Sequence, residues 1–286
     1  MLINHTGGKK GMMQMGNNDV NEERALFLAA VCGQTYSQYE HQDGSFVVPF
    51  NYSVSYVIQA KSISKTWENF GFIIESPQEI IIAFRGTSST NDWISDIIAS
   101  QKKFKYIKED CLTHIGFTNI YSSARNGILS ALASLSPEKT LYITGHSLGA
   151  ALATLCAVDI AANTSFSSPC LYTFGSPRVG DPAFSRAFTT YIRNSYRIAN
   201  PLDVVTYTPP TIYKLPKREK KCYYTHVQTL SSLFFQNGAL GLNHIIRSYF
   251  TVLAERNPVF SRSLCATNPG FCPVIEVQTQ TTSVTQ

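Results

Sequence analysis

The run from Thr140 to Asn163 restricts the fold more than any other part of the chain. It reads TLYITGHSLGAALATLCAVDIAAN: a short apolar strand, a turn bounded by Gly145 and Gly149, then an Ala-rich helix. A strand that passes directly into a helix is half of a βα unit, and the same alternation repeats downstream. CLYTFG reads as the next strand and Asp181-Pro182 as a helix start, with Asp as N-cap and Pro in the first turn. SYRIA reads as another strand, and HIIRSYFTVLAE as the final helix. Upstream, EIIIAFRGT is a continuous apolar run ending at glycine, as a strand buried on both faces reads. The expectation is an α/β fold: a mostly parallel sheet with helices on both faces.

The rest of the chain fits one such domain. Asn21 starts a helix over EERALFLAAVCGQTYSQYE, with acids in its first turn. SYVIQAKSIS, ENFGFIIES and CYYTHVQ read as strands, and FTNIYSSARNGILSALASL as a helix. At 286 residues the chain can build one large core, and no linker or repeat divides it. The boundaries expected are a flexible arm over 1–20, one domain over 21–265 and a loose polar tail over 266–286. Charged residues are only 15% of the chain against 44% hydrophobic, which argues against disorder and against a nucleic-acid coat. The net charge of +5 favours anionic surfaces without naming one. No run is apolar and long enough to span a membrane. No secretory signal is visible, which leaves a cytoplasmic protein, export by another route, or a secreted form already processed. The seven cysteines contain no CxxC pair. Cys156 reads as core, and Cys265 and Cys272 are close enough to pair in an oxidising compartment.

The chemistry centres on Gly145-His146-Ser147-Leu148-Gly149. A Gly-x-Ser-x-Gly pattern alone is weak, but between a strand and a helix it reads as a nucleophile elbow. The sharp turn lifts the Ser147 hydroxyl off the sheet edge and aims the Leu148 N–H, at a helix N-terminus, at an oxyanion. A serine hydroxyl needs a base, and the base an orienting acid. Two histidines lie downstream of Ser147. His226 falls within the strand-like CYYTHVQ, and His244 lies in a loop entering a helix, the better place for a base. For the acid, Asp203 follows strand SYRIA at its carboxyl end, where such sheets build their sites. Asp181 reads as a helix cap, and Asp159 lies along the helix after Ser147.

IIIAFRGTSSTNDWISDI, HIGFTNIYSSA, LYITGHSLGAALATLCA, LYTFGSPRVGD, RIANPLDVVTYTPP and NHIIRSYF together resemble the class 3 lipase family over roughly residues 22–255. The resemblance implies the α/β-hydrolase fold and Ser147, Asp203 and His244 as the triad. It implies Thr87, after Gly86, as the second oxyanion donor, and Arg85 as a structural partner of that loop. It also implies a helical lid over NDWISDIIAS, where Trp93, Ile94, Ile97 and Ile98 oppose Asp92, Ser95 and Asp96. Such a face can cover a cleft or lie against acyl chains at a lipid–water interface; a fixed surface helix is the other reading. Two departures stand out. Ala150 follows Gly149 where many members have a second glycine, and PPTIYKLPKREKKC is unusually basic.

These readings lead to a serine hydrolase of lipid or other small esters that forms an acyl-enzyme and calls for no metal or organic cofactor. Phospholipase A1 and short-chain or feruloyl esterase are alternatives with the same triad. An acyltransferase, a seryl peptidase and a non-catalytic binding protein remain open.

Overall fold

In the computed structural model, the chain is described over residues 20–87, 100–215, 221–227 and 230–273. The arm expected over 1–20 lies outside these residues except for Val20, and so do Asp92, Trp93, Ile94, Ile97 and Ile98 of the expected lid.

Strand β3 (Glu79–Phe84) shows how the sheet is held. Its side chains alternate between two cores: Ile80, Ile82 and Phe84 enter one, Ile81 and Ala83 the other. Both sets are apolar, so the strand lies in the middle of a covered sheet. Around it the order is β1 (Ser53–Lys61), β2 (Trp67–Glu75), β3, β6 (Thr140–His146), β7 (Cys170–Phe174), β8 (Asn194–Ala199) and β11 (Leu230–Ser232). β1, β2 and β3 pair antiparallel; from β3 through β6, β7 and β8 to β11 every pairing is parallel. Two hairpins stand apart: β4 (Gln101–Lys103) with β5 (Leu112–His114), and β9 (Ile212–Lys214) with β10 (Lys221–Tyr223).

Helices fill both faces. On one, α2 (Ile115–Leu132), α3 (Leu148–Asn163) and α4 (Pro182–Tyr191) bring Phe117, Ile128, Leu152, Leu155 and Phe184 onto the first core. On the other, α1 (Glu22–Glu40), α5 (Ile246–Arg256) and α6 (Pro258–Thr267) bring Leu26, Val31, Phe250, Leu253 and Leu264 onto the second. Asn21 caps α1 through the Arg24 amide at 2.9 Å, and Asp181 caps α4 through the Phe184 amide at 2.8 Å, as their sequences predict. Among the described residues no helix is long and apolar enough to cross a membrane.

Three expectations are revised. CYYTHVQ is a strand only as far as Tyr223, so His226 lies outside it. Ordered chain continues past 265: α6 runs to Thr267, Phe271 is buried in the second core, and Cys265 pairs with Cys272 in a disulfide. Residues 274–286 lie outside the described ones. Helix α6 and strand β11 were not foreseen; Asn257-Pro258 between α5 and α6 restarts a helix where a single final helix was expected.

Candidate active site

Gly145 and Gly149 exist for steric reasons. A Cβ on Gly149 would stand 2.2 Å from the Phe84 carbonyl oxygen, and one on Gly145 would stand 2.3 Å from the Gly149 carbonyl oxygen. The end of β3, the end of β6 and the start of α3 therefore approach backbone to backbone, which only glycine allows. Between them Ser147 sits at φ 59°, ψ −126°, a conformation that costs a non-glycine residue of order 1–3 kcal/mol. Its amide donates to the Phe174 carbonyl at 3.0 Å, which pins the turn to β7.

The residues expected as base and acid come from two loops that follow strands of the sheet. Asp203 follows β8, opening a short 3₁₀ turn (Val204–Tyr207) whose Val205 amide donates to its Oδ1 at 3.0 Å. His244 lies just before α5, and its Nδ1–H meets Asp203 Oδ2 at 2.8 Å. Tyr249 donates its hydroxyl to the same oxygen at 2.7 Å and accepts the Asn200 amide at 3.0 Å. The carboxylate thus takes three hydrogen bonds with no exposure at all; Ser147 is likewise 0% exposed and His244 1%. Burial beside that carboxylate holds the Tyr249 phenol well above its ordinary pKa, so it remains a donor.

His146 ties this pair to the elbow. Its ring lies 4.6 Å from that of His244, centroid to centroid, and its Nε2 meets the His244 carbonyl at 2.6 Å. Since a carbonyl only accepts, Nε2 carries the proton and Nδ1 accepts from the Tyr36 hydroxyl at 2.7 Å. Burial, and then the neighbouring His244, hold the His146 pKa well below normal, which keeps it neutral. Three polar side-chain atoms here are buried without a partner among the described residues: Ser147 Oγ, His244 Nε2 and Thr87 Oγ1. Buried polar atoms without partners are rare and call for an explanation, of which a catalytic role is one. Thr87 follows Gly86, whose own Cβ position would fall 3.0 Å from the Ser147 Cβ, so the end of β3 borders the Ser147 turn. Leu148 is the first residue of α3. A cavity of about 480 Å³ reaches the site at Thr87 and His146; Tyr36, Ile245, Ile246 and Cys272 also line it.

The sequence pattern of the family described as Lipase (class 3) matches residues 81–213. The matched segment contains Thr87, Ser147, Leu148 and Asp203, while His244 lies beyond it. The chain is similar to a lipase of Rhizomucor miehei, 34% identical over 49% of this chain and 40% of that protein. It is equally similar, at 34%, to phospholipase A1-II 1 of Oryza sativa subsp. indica over 48% of this chain and 41% of the other. Secreted mono- and diacylglycerol lipase A of Penicillium cyclopium is 30% identical over 55% and 51%. The chain thus spans about half the length of the curated relatives it matches, or less. Among solved structures, a triacylglycerol lipase whose catalytic centre is a serine protease triad superposes with a TM-score of 0.54 at 25% identity, covering 65% of this chain and 74% of that one. A fungal lipase with a buried polar cluster superposes at 0.60 and 25% identity, covering 76% and 81%.

The structure also shows where the rival residues go. His226 donates its Nε2–H to the Thr206 carbonyl, 2.8 Å away, and burial lowers its pKa to about 3; no hydrogen bond joins it to Asp203. Asp181 is a helix cap. Asp159 is held by Arg125 at 2.5 Å and by the Tyr121 hydroxyl at 2.6 Å. Arg85 braces the loop it precedes, bonding the Gly86 and Asn69 carbonyls and Glu68. The sequence reading missed Tyr249, Tyr36 and the connecting role of His146. Tyr249 carried a signal: a tyrosine on the buried face of a helix, beside Phe250 and Leu253, must find a partner for its hydroxyl.

Proposed function

We propose that this chain is a serine carboxylic ester hydrolase of lipid esters, with Ser147, His244 and Asp203 as its catalytic triad. The observation that carries the reading is the fully buried Asp203–His244 pair, with His244 Nε2 unpartnered, tied through His146 to a strained serine elbow. In this mechanism Ser147 Oγ attacks the ester carbonyl carbon while His244 Nε2 takes its proton. Asp203 fixes the tautomer with the proton on Nδ1 and stabilises the imidazolium as it forms. The backbone N–H groups of Thr87 and Leu148 receive the oxyanion, which concentrates binding on the transition state. The alcohol leaves with the proton from His244, and water, activated by the same imidazole, releases the acid and restores Ser147.

Phospholipase A1 activity is the second reading, favoured by the rice relative of that name and by the basic segments of this chain. The lid reading of Asp92, Trp93, Ile94, Ile97 and Ile98 rests on their sequence pattern. The test is hydrolysis of p-nitrophenyl esters from acetate to palmitate, alongside trioleoylglycerol and phosphatidylcholine. Fatty-acid release from trioleoylglycerol with long-chain preference supports the lipase reading. Release only from phosphatidylcholine, at the sn-1 position, moves the assignment to phospholipase A1. Silence on every ester sinks the catalytic reading and leaves a binding protein. For the lid, a rate that jumps at the solubility limit of the substrate is expected; a smooth saturating curve refutes it.

A further inference from the structure

The β9–β10 hairpin is two-faced, and its outer face is unusual. One side turns Cys222, with Leu215 and Tyr224 beside it, into a small apolar cluster. The other presents Ile212, Lys214, Lys221 and Tyr223, all exposed, with Ile212 57% and Tyr223 49% accessible. In the antiparallel register Lys214 stands directly opposite Lys221, and Ile212 opposite Tyr223. Like charges directly opposite each other destabilise a ladder, and neither lysine has an acidic partner among the described residues.

The neighbouring β4–β5 hairpin abuts this one. Gln101 Nε2 of β4 donates to the Tyr223 carbonyl at 2.7 Å, and Tyr224 donates its hydroxyl to the Ser100 carbonyl at 3.2 Å. On β4 itself Lys102 and Lys103 are exposed, Lys102 donating to Asn119 at 2.9 Å and Lys103 pairing with Asp110 at 3.0 Å. Lys214 and Lys221 beside a half-exposed isoleucine and tyrosine match an interface that offers phosphate outside and acyl chain just beneath. The lysines meet the headgroups, while the tyrosine ring suits the boundary between wet and apolar.

We propose that the outer face of the β9–β10 hairpin docks the protein on an anionic lipid surface. The proposal rests on the lipid-ester reading above for its purpose, but its test does not. The full chain carrying Ser147→Ala is sedimented with vesicles of phosphatidylcholine alone or with phosphatidylglycerol added. Binding is expected to the anionic vesicles, to weaken as salt is raised, and to be far weaker to neutral ones. With Lys214→Gln and Lys221→Gln together, the partition coefficient on anionic vesicles should fall about 25-fold, at roughly fivefold per lysine near such a surface. The double variant should melt no lower than its parent, since it relieves a like-charge pair. Equal binding to neutral vesicles, insensitivity to salt, no binding at all, or an unchanged partition coefficient overturns the proposal. A lower melting temperature also counts against it, because it makes the lysines structural. Failure of ester turnover in the wild type is a separate result, and leaves the vesicle measurement standing on its own.

Discussion

Replacing Tyr249 with Phe separates what holds Asp203 in place from what makes it useful. The tyrosine hydroxyl donates to Asp203 Oδ2 at 2.7 Å and accepts the Asn200 amide at 3.0 Å, in a fully buried site. Tyr249→Phe removes a hydrogen bond to a charged group, a loss of about 1.5–3 kcal/mol, and leaves a buried amide unpaired at about 1–3 kcal/mol. Because the two losses share one atom, about 3–4 kcal/mol of folding stability is expected to go. The carboxylate keeps His244 Nδ1–H and the Val205 amide, so the imidazole stays oriented. Turnover should therefore drop only about tenfold, against the ~10⁴-fold typical when a triad Asp becomes Asn. The assay pairs urea unfolding with p-nitrophenyl butyrate kinetics, for Tyr249→Phe and Asp203→Asn side by side. If Tyr249→Phe silences turnover as fully as Asp203→Asn while stability is unchanged, the division of labour is wrong.

Three other predictions follow from the same geometry. His114 Nδ1 accepts the Gly116 and Phe117 amides at the start of α2, and burial lowers its pKa to about 4. Between pH 6.5 and 4 the unfolded chain binds the proton more tightly, so this residue makes stability fall as pH falls, by up to about 3 kcal/mol. His114→Asn caps the helix without titrating and should flatten that slope in urea midpoints taken from pH 7 to 4.5; an unchanged slope refutes the assignment. Gly149→Ala should cost about 3 kcal/mol or more by urea unfolding, since its methyl meets the Phe84 carbonyl; a variant as stable as wild type contradicts the packing. Changing both Cys265 and Cys272 to Ser should lower stability by about 2 kcal/mol through loop entropy, read as a lower melting temperature that reductant no longer shifts.

The parts of the molecule legible in the sequence were those where local pattern and tertiary demand coincide. β3 needed apolar residues on both faces, and α4 needed its Asp-Pro start; both are written in a few adjacent residues. Ser147 was visible because a strand, two glycines and a helix stand in one uninterrupted run. Asp203 and His244 were placed by chain order and loop position, and the structure brings those two together at 2.8 Å. What escaped depends on distant partners. Tyr36 meets His146 across 110 residues, and no local pattern carries that bond. β11 is three residues long, and only its pairing with β8 makes it a strand. CYYTHVQ looked like one strand because aromatic and β-branched residues continue past Tyr223, whereas Thr225 turns to bridge Gly180 instead. The order beyond 265 was hidden because the tail's polarity outweighed one buried residue, Phe271, and one cysteine pair.

The central claim is that Ser147 is a nucleophile made reactive by His244. It is tested most directly by labelling the folded protein with a p-nitrophenyl alkylphosphonate and locating the adduct by peptide mass mapping. One stoichiometric adduct on Ser147, absent from folded Ser147→Ala and greatly slowed in folded His244→Ala, is the predicted result. An adduct on another residue, equal labelling of the His244→Ala variant, or no labelling of the wild type would contradict the account.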